Sequence, residues 1–234
     1  MANKNSGKLS GEPPQDKKQD FDTSNLIPTR TPAKGSAYEQ ALSPDTEDFN
    51  TPSFNSLKPQ KGIEPRLKED EAIAFVQRVA GVDKETAKKM NDAVWAYTGY
   101  YYDAIRAVQQ GKSNNAKMKE HAENLERYIE RAAKWGGGTT YRGIRAGGDY
   151  KPGDIIDQCG TSSWSTELSI AKSFSFGGKN KTIFISPTQS KGTSTGFSHQ
   201  HHAEMEVTVS QKARYVAERV EKHGDYTYVW VRET

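Results

Sequence analysis

Apolar positions recur every three or four residues through the middle of the chain and every second residue over its last third. LKEDEAIAFVQRVAG, residues 67–81, has the helical spacing and a stop at Gly81. Asp83 stands where it can cap a second helix running from about Lys84 to Gln110. Met90, Val94, Tyr97, Tyr101, Ile105 and Val108 would line one face of that helix, and Gly111 would end it. Ser113 is the expected cap of a third helix, with Met118, Ala122, Leu125, Ile129 and Ala133 as its stripe. The glycines of WGGG, residues 135–138, close this helical stretch. The period then becomes two: TTYRGI, KTIFIS, EMEVTV, ARYVAERV and DYTYVWVRE read as strands, separated by Gly-, Ser- and Asp-rich loops. Helices first and strands afterwards predict an α+β domain rather than a βαβ repeat.

Composition adds a division. Residues 1–66 hold eight of the ten prolines and none of the four tryptophans, and their nine basic and nine acidic side chains cancel. Such a segment buries too little apolar surface to offset its ordering entropy, so it is expected to be a disordered polar arm. Residues 67–234 are the expected globular domain, with a helical block at 67–135 and a β-rich core at 139–234. A net charge of +3 is too mild for the concentrated basic face of a nucleic-acid binder. A single cysteine, Cys159, excludes an intramolecular disulfide framework. The first residues lack the apolar core of a signal peptide, and no run of apolar residues is long enough to span a bilayer.

Three fragments carry candidate chemistry. Arg142, within Tyr141-Arg142-Gly143, offers a planar fork suited to phosphate, although alone it reads more simply as an arginine on a solvated strand face. Ser163-Trp164-Ser165-Thr166-Glu167 sets small hydroxyls beside an aromatic; alone it reads as a strand end before a short helix, over about 167–173, with Ala171 and Phe174 facing inward. Glu204 and Glu206 stand two apart, on one face if they share a strand. Two carboxylates so placed oppose each other's ionisation unless a cation lies between them or they do different work. One could stabilise a developing sugar cation while the other handles a proton, and the plainer alternative is an exposed edge.

In order and spacing, the three fragments together resemble the mono-ADP-ribosyltransferases of the arginine–serine–glutamate type, a group that includes clostridial binary toxins and phage enzymes. The likeness covers about 67–234 and includes AVWAYTGYYYDAIRAV and ENLERYIERAAKWGGGTTYRG, similar to the family's approach to its arginine. It implies a mixed β-sandwich core behind the helical block, and NAD as the substrate. Carried over, Arg142 would hold the NAD phosphates, and Ser165 would orient the catalytic glutamate and support the nicotinamide ribose. Glu206 would be that glutamate. Glu204 would engage the acceptor, and a glutamate there resembles the arginine-modifying members. Gly143 would let the backbone approach the nicotinamide amide. Thr166 would lie in the NAD site, Phe174 would pack on the nicotinamide, and Tyr97, Tyr100 or Tyr101 would line the cleft. Glu167 departs from the family's serine triplet, whose third residue is often small, and the large Trp164 precedes its first.

The loop SPTQSKGTSTGFSHQHHA, residues 186–203, leads into Glu204, and Phe197, its one large apolar residue, is the expected contact to the target protein. His199, His201 and His202 lack the cysteine or carboxylate that would complete a metal site, so no metal is expected. The expected partner is a protein with an accessible arginine, the expected state a monomer, and no nucleic acid or membrane is anticipated. The place of action would be the cytoplasm of a host or target cell, reached by secretion or phage injection. Two alternatives stay open: an NAD glycohydrolase, and a non-catalytic interaction or virion protein on the same fold.

Overall fold

The computed structural model describes Ile63 and residues 65–136, 138–198 and 204–234. Most of the polar arm expected over 1–66, and the loop histidines His199, His201 and His202, lie outside the described residues.

Helix α1 spans Glu69–Ala80, opened by the Glu71 carboxylate accepting the Lys68 N–H at 3.0 Å and closed by Gly81 at φ 63°. Helix α2 spans Lys84–Tyr97, with Asp83 accepting the Thr86 N–H at 2.9 Å as the expected cap. It does not run on to Gln110. The Thr98 hydroxyl donates back to the Val94 carbonyl at 2.9 Å, and the Tyr101 N–H reaches Ala96 O at 3.1 Å, so the ladder slips by one residue. A glycine follows at position 99, and the two weak helix formers together explain the break. Helix α3 then covers Tyr102–Gln109. The slip turns the apolar stripe: Met90, Val94, Tyr97 and Ile105 stay buried, and Tyr101 moves out to solvent. Helix α4, Ala116–Arg131, is capped by Asn115, which accepts the Met118 N–H at 3.1 Å; Ser113 instead accepts the Asn115 N–H. Met118, Ala122, Leu125 and Ile129 form its buried stripe, while Ala133 lies beyond the helix and is exposed.

The remainder is one eight-stranded sheet plus a short helix, α5, at Leu168–Ser175. Its strands are β1 Thr140–Ile144, β2 Ile155–Asp157, β3 Ser162–Ser165, β4 Lys181–Ser186, β5 Gly192–Ser194, β6 Glu206–Val209, β7 Arg214–His223 and β8 Tyr226–Glu233. Their order is β2-β7-β8-β4-β1-β3-β6-β5, and β4 with β8 is the parallel pair in an otherwise antiparallel sheet. Strands β3 and β7 are four places apart, roughly 19 Å if the sheet were flat. Yet the rings of Trp164 on β3 and Tyr215 on β7 lie with centroids 5.2 Å apart. The sheet therefore curls until its two halves face each other across Ile156, Trp164, Phe184, Val207, Tyr215 and Val229. This is the expected sandwich, made from one continuous ladder. The helical block keeps a separate core, built on Val76, Met90, Ile105, Leu125, Tyr128 and Ile129.

Candidate active site

The curl has a seam. Strands β1 and β3 share a single register pair, Tyr141↔Ser165, whereas β3 and β6 pair over four positions ending at Ser165↔Glu206. Tyr141, Ser165 and Glu206 thus stand level across three neighbouring strands, a span of about 10 Å. Beyond that level the β1–β3 ladder stops and the arginine side chain spans the gap. Arg142 donates from Nη1 to the Ser163 carbonyl at 2.7 Å and from Nε to Gln158 Oε1 at 3.0 Å. Burial and then the neighbouring Arg106 charge pull the Arg142 guanidinium down to about 10, with Glu206 among the groups opposing that shift. It is still a cation at neutral pH, half-buried and held by neutral oxygens.

The helical block closes the seam from one side. Arg106 on α3 donates to the carbonyls of Thr161 and, at 2.7 Å, Gln158. Gln109 donates to the Thr161 hydroxyl at 2.7 Å, and Gln110 to the Cys159 carbonyl at 2.8 Å. Tyr97 places its hydroxyl on the Thr161 carbonyl at 3.0 Å and accepts from the Ser163 hydroxyl at 3.3 Å. Burial drives the Tyr97 phenol upward, so it stays a neutral donor. The segment Gln158–Thr161 is therefore held by α3, and it holds Arg142 in turn. None of Arg106, Gln109, Gln110 or Gln158 carries a local signal in the sequence.

The two glutamates sit in different environments. Glu206 opens β6 and is 4 % exposed, with Oε1 accepting the Thr208 hydroxyl at 3.0 Å. Glu204 does not share the strand. Met205, with φ at 49°, breaks the extended backbone between them, so alternation along one strand does not relate their side chains. Glu204 is half-buried in the turn before β6. The Ser165 hydroxyl donates to the Glu204 carbonyl at 2.8 Å and accepts the Glu167 N–H at 3.1 Å. Its one proton goes to the turn that carries Glu204 rather than to the Glu206 carboxylate.

Other expected residues lie elsewhere. Phe197 is wholly buried, against Phe75 at 4.8 Å and Tyr128 at 5.5 Å between ring centroids, so it anchors the loop to the helical core instead of meeting a target. Its apolar bulk is better satisfied among helices than in water. Phe174 is 47 % exposed, not inward, and Tyr101 is equally exposed at the start of α3. Gly143 is required by a neighbour within the chain: a Cβ there would stand 1.7 Å from the Ala171 carbonyl oxygen, so its glycine lets α5 press on β1. Thr166 is buried, and its Oγ1 lacks a hydrogen-bond partner. No group of three His, Cys, Asp or Glu side chains placed to hold a metal occurs among the described residues.

No protein-family model matches the sequence, and no curated protein matches it. Solved structures do resemble it. The Vis toxin of Vibrio splendidus, an ADP-ribosyltransferase, superposes with a TM-score of 0.53 at 17 % identity, over 73 % of this chain and 88 % of that one. Exoenzyme S of Pseudomonas aeruginosa, solved with human 14-3-3 protein beta and carba-NAD, gives 0.57 at 19 % identity, over 71 % and 82 %. The eukaryotic mono-ADP-ribosyltransferase ART2.2 gives 0.52 at 20 % identity, over 71 % and 77 %. A helical block docked on a curled mixed sheet, with the arginine, serine and glutamate strands level at its seam, gives this chain the mono-ADP-ribosyltransferase fold.

Proposed function

We propose that this chain cleaves NAD and transfers its ADP-ribose to arginine side chains of a target protein. The observation that carries the reading is the level placement of Ser165 and Glu206 beside the half-buried Arg142. Arg142 would bind the NAD phosphates through charge-assisted hydrogen bonds. The bond between the ribose and nicotinamide breaks, its electron pair leaving with nicotinamide. Glu206 would hold the ribose 2′-hydroxyl and stabilise the oxocarbenium-like sugar. An arginine nitrogen then forms the new bond to that carbon and gives up a proton, which Glu204 would take. Ser165 fixes the turn that carries Glu204, and Thr166 would contact NAD.

Arginine as acceptor is supported by the chemistry of Glu204. A guanidinium is cationic at ordinary pH, and a carboxylate both attracts it and accepts its proton. Vis has also been solved with agmatine, itself a guanidinium compound. Vis is a toxin, and the likeness to it supports a toxin or effector role for this chain, with a phage-encoded host-modifying enzyme as the other form of the same proposal.

Labelled NAD and a mixed cell lysate test the proposal with wild type, Glu204→Gln and Glu206→Gln, reading protein-bound label and free nicotinamide. Wild type is expected to label arginine. Glu204→Gln should keep nicotinamide release and lose most of the label. Glu206→Gln should lose both by about 10²- to 10⁴-fold. Nicotinamide release by wild type without labelled protein would turn the assignment to an NAD glycohydrolase. No turnover of NAD by wild type would reject it.

A further inference from the structure

Behind Glu206 lies a chain of buried hydroxyls. Thr208 follows two residues later on β6, so its side chain shares the face of Glu206. Its Oγ1 lies 3.0 Å from Glu206 Oε1 and 2.8 Å from the Oγ1 of Thr195. Thr195 and Thr208 are both 0 % exposed, and Glu206 is 4 % exposed. A hydroxyl has one proton to give. With the carboxylate ionised, Oε1 can only accept, so Thr208 donates to Glu206 and Thr195 donates to Thr208. The order of donors is thereby set from Thr195 to the carboxylate. Each bond polarises the next, and the effect is largest where water is excluded.

We propose that Thr195 and Thr208 form a two-hydroxyl relay that fixes the Glu206 carboxylate for reaction, with Thr208 as a positioning residue; the inference rests on the transferase reading above. Ser165 spends its proton on the Glu204 carbonyl, and the Thr208 hydroxyl, on the same strand as Glu206, donates to the carboxylate. Thr208 is β-branched and pairs with Ser163 on one side and Thr193 on the other. Its χ1 is restricted, so its donor is held in place before substrate arrives.

The test measures nicotinamide release and thermal unfolding for wild type, Thr208→Val, Thr208→Ser and Thr195→Val. Valine keeps the shape of threonine and removes the hydroxyl. Thr208→Val is expected to lower kcat by about 10- to 100-fold, the scale of one hydrogen bond to a charged group. The KM for NAD should hold within about 2-fold, since the relay acts through Glu206, whose contribution grows as the sugar becomes a cation in the transition state, and leaves the phosphate-binding Arg142 untouched. Thr208→Ser restores the donor and should recover most of kcat. Thr195→Val, outside the strand, should lower kcat less, by about 3-fold, through lost polarisation. A kcat in Thr208→Val equal to wild type overturns the relay while leaving the transferase reading intact. So does a loss that serine fails to rescue. Should Thr208→Val unfold, Thr195→Val decides, because an unchanged kcat there overturns the relay. A wild type inert toward NAD overturns both.

Discussion

The two halves of the curled sheet bury different things. Strands β4, β7 and β8 bury Phe184, Tyr215, Val229 and Val231 on one face and Ile183, Ile185, Tyr228 and Trp230 on the other, with Thr182 and Ser186 of β4 as the buried polar exceptions. Strands β3, β5 and β6 bury Trp164, Val207 and Val209 on one face, and Ser162, Ser165, Thr193, Ser194, Glu206 and Thr208 among them. The first half gains stability simply by removing apolar surface from water. The second places polar groups where each needs a partner. It obtains them largely from one another, as in the Thr195–Thr208–Glu206 chain and the Ser165 bond to the Glu204 carbonyl. One half holds the fold and the other holds a prearranged polar site, and the seam at β1 divides them.

The largest effect expected from this division is at Trp230, wholly buried and covered by the Arg219 guanidinium 4.6 Å from its ring. Trp230→Ala should lower unfolding free energy by about 3–5 kcal/mol in denaturant titration while any folded fraction keeps its KM for NAD. A mild loss would break the comparison. Gly143→Ala tests the seam. The new methyl meets the Ala171 carbonyl, so a loss of about 1–3 kcal/mol is expected, together with weaker NAD binding as α5 shifts away from β1. Arg142→Lys keeps the charge and loses the fork that reaches Gln158 and Ser163 together. The KM for NAD should rise about 10-fold, and unfolding free energy should fall by about 1 kcal/mol for the hydrogen bond that lysine cannot remake. The smallest effect has the opposite sign. Thr166→Val removes a buried hydroxyl without a partner, and stability should rise by up to about 1 kcal/mol. A fall in stability would mean that this half of the sheet satisfies its polar groups more fully than its geometry indicates. The KM for NAD, measured on the same protein, reports whether the hydroxyl serves the ligand.

Elements were more legible than their arrangement. The 3.6-residue period located α1, α2 and α4 because an amphipathic helix is a local object, and Gly81 and Asp83 marked a boundary through bonds only three or four residues long. The break at Thr98 was hidden by a stripe that continues across it from Tyr97 to Ile105. Strands β2 and β5, three residues each, are too short to show a period, and their pairing decides them. Arg142, Ser165 and Glu206 were legible as residue types in a familiar order. The donors that hold them were not. Gln158 is 16 residues from Arg142, and Thr195 is 13 from Thr208. Thr208 is the exception, since a threonine two after a strand glutamate is visible in the sequence itself.

What the sequence determined alone is the content of the molecule: a helical block followed by strands, an α+β domain, and an arginine, a serine and a glutamate of the types that the proposed reaction needs. Tertiary structure decided which of them meet. It put Phe197 into the helical core, because a large apolar ring gains more from burial than from an exposed loop. It separated Glu204 from Glu206 through one residue at positive φ, a conformation that no alternation pattern encodes. It also brought Ser165 level with Glu206, because strand register is set by pairing between segments distant in the chain.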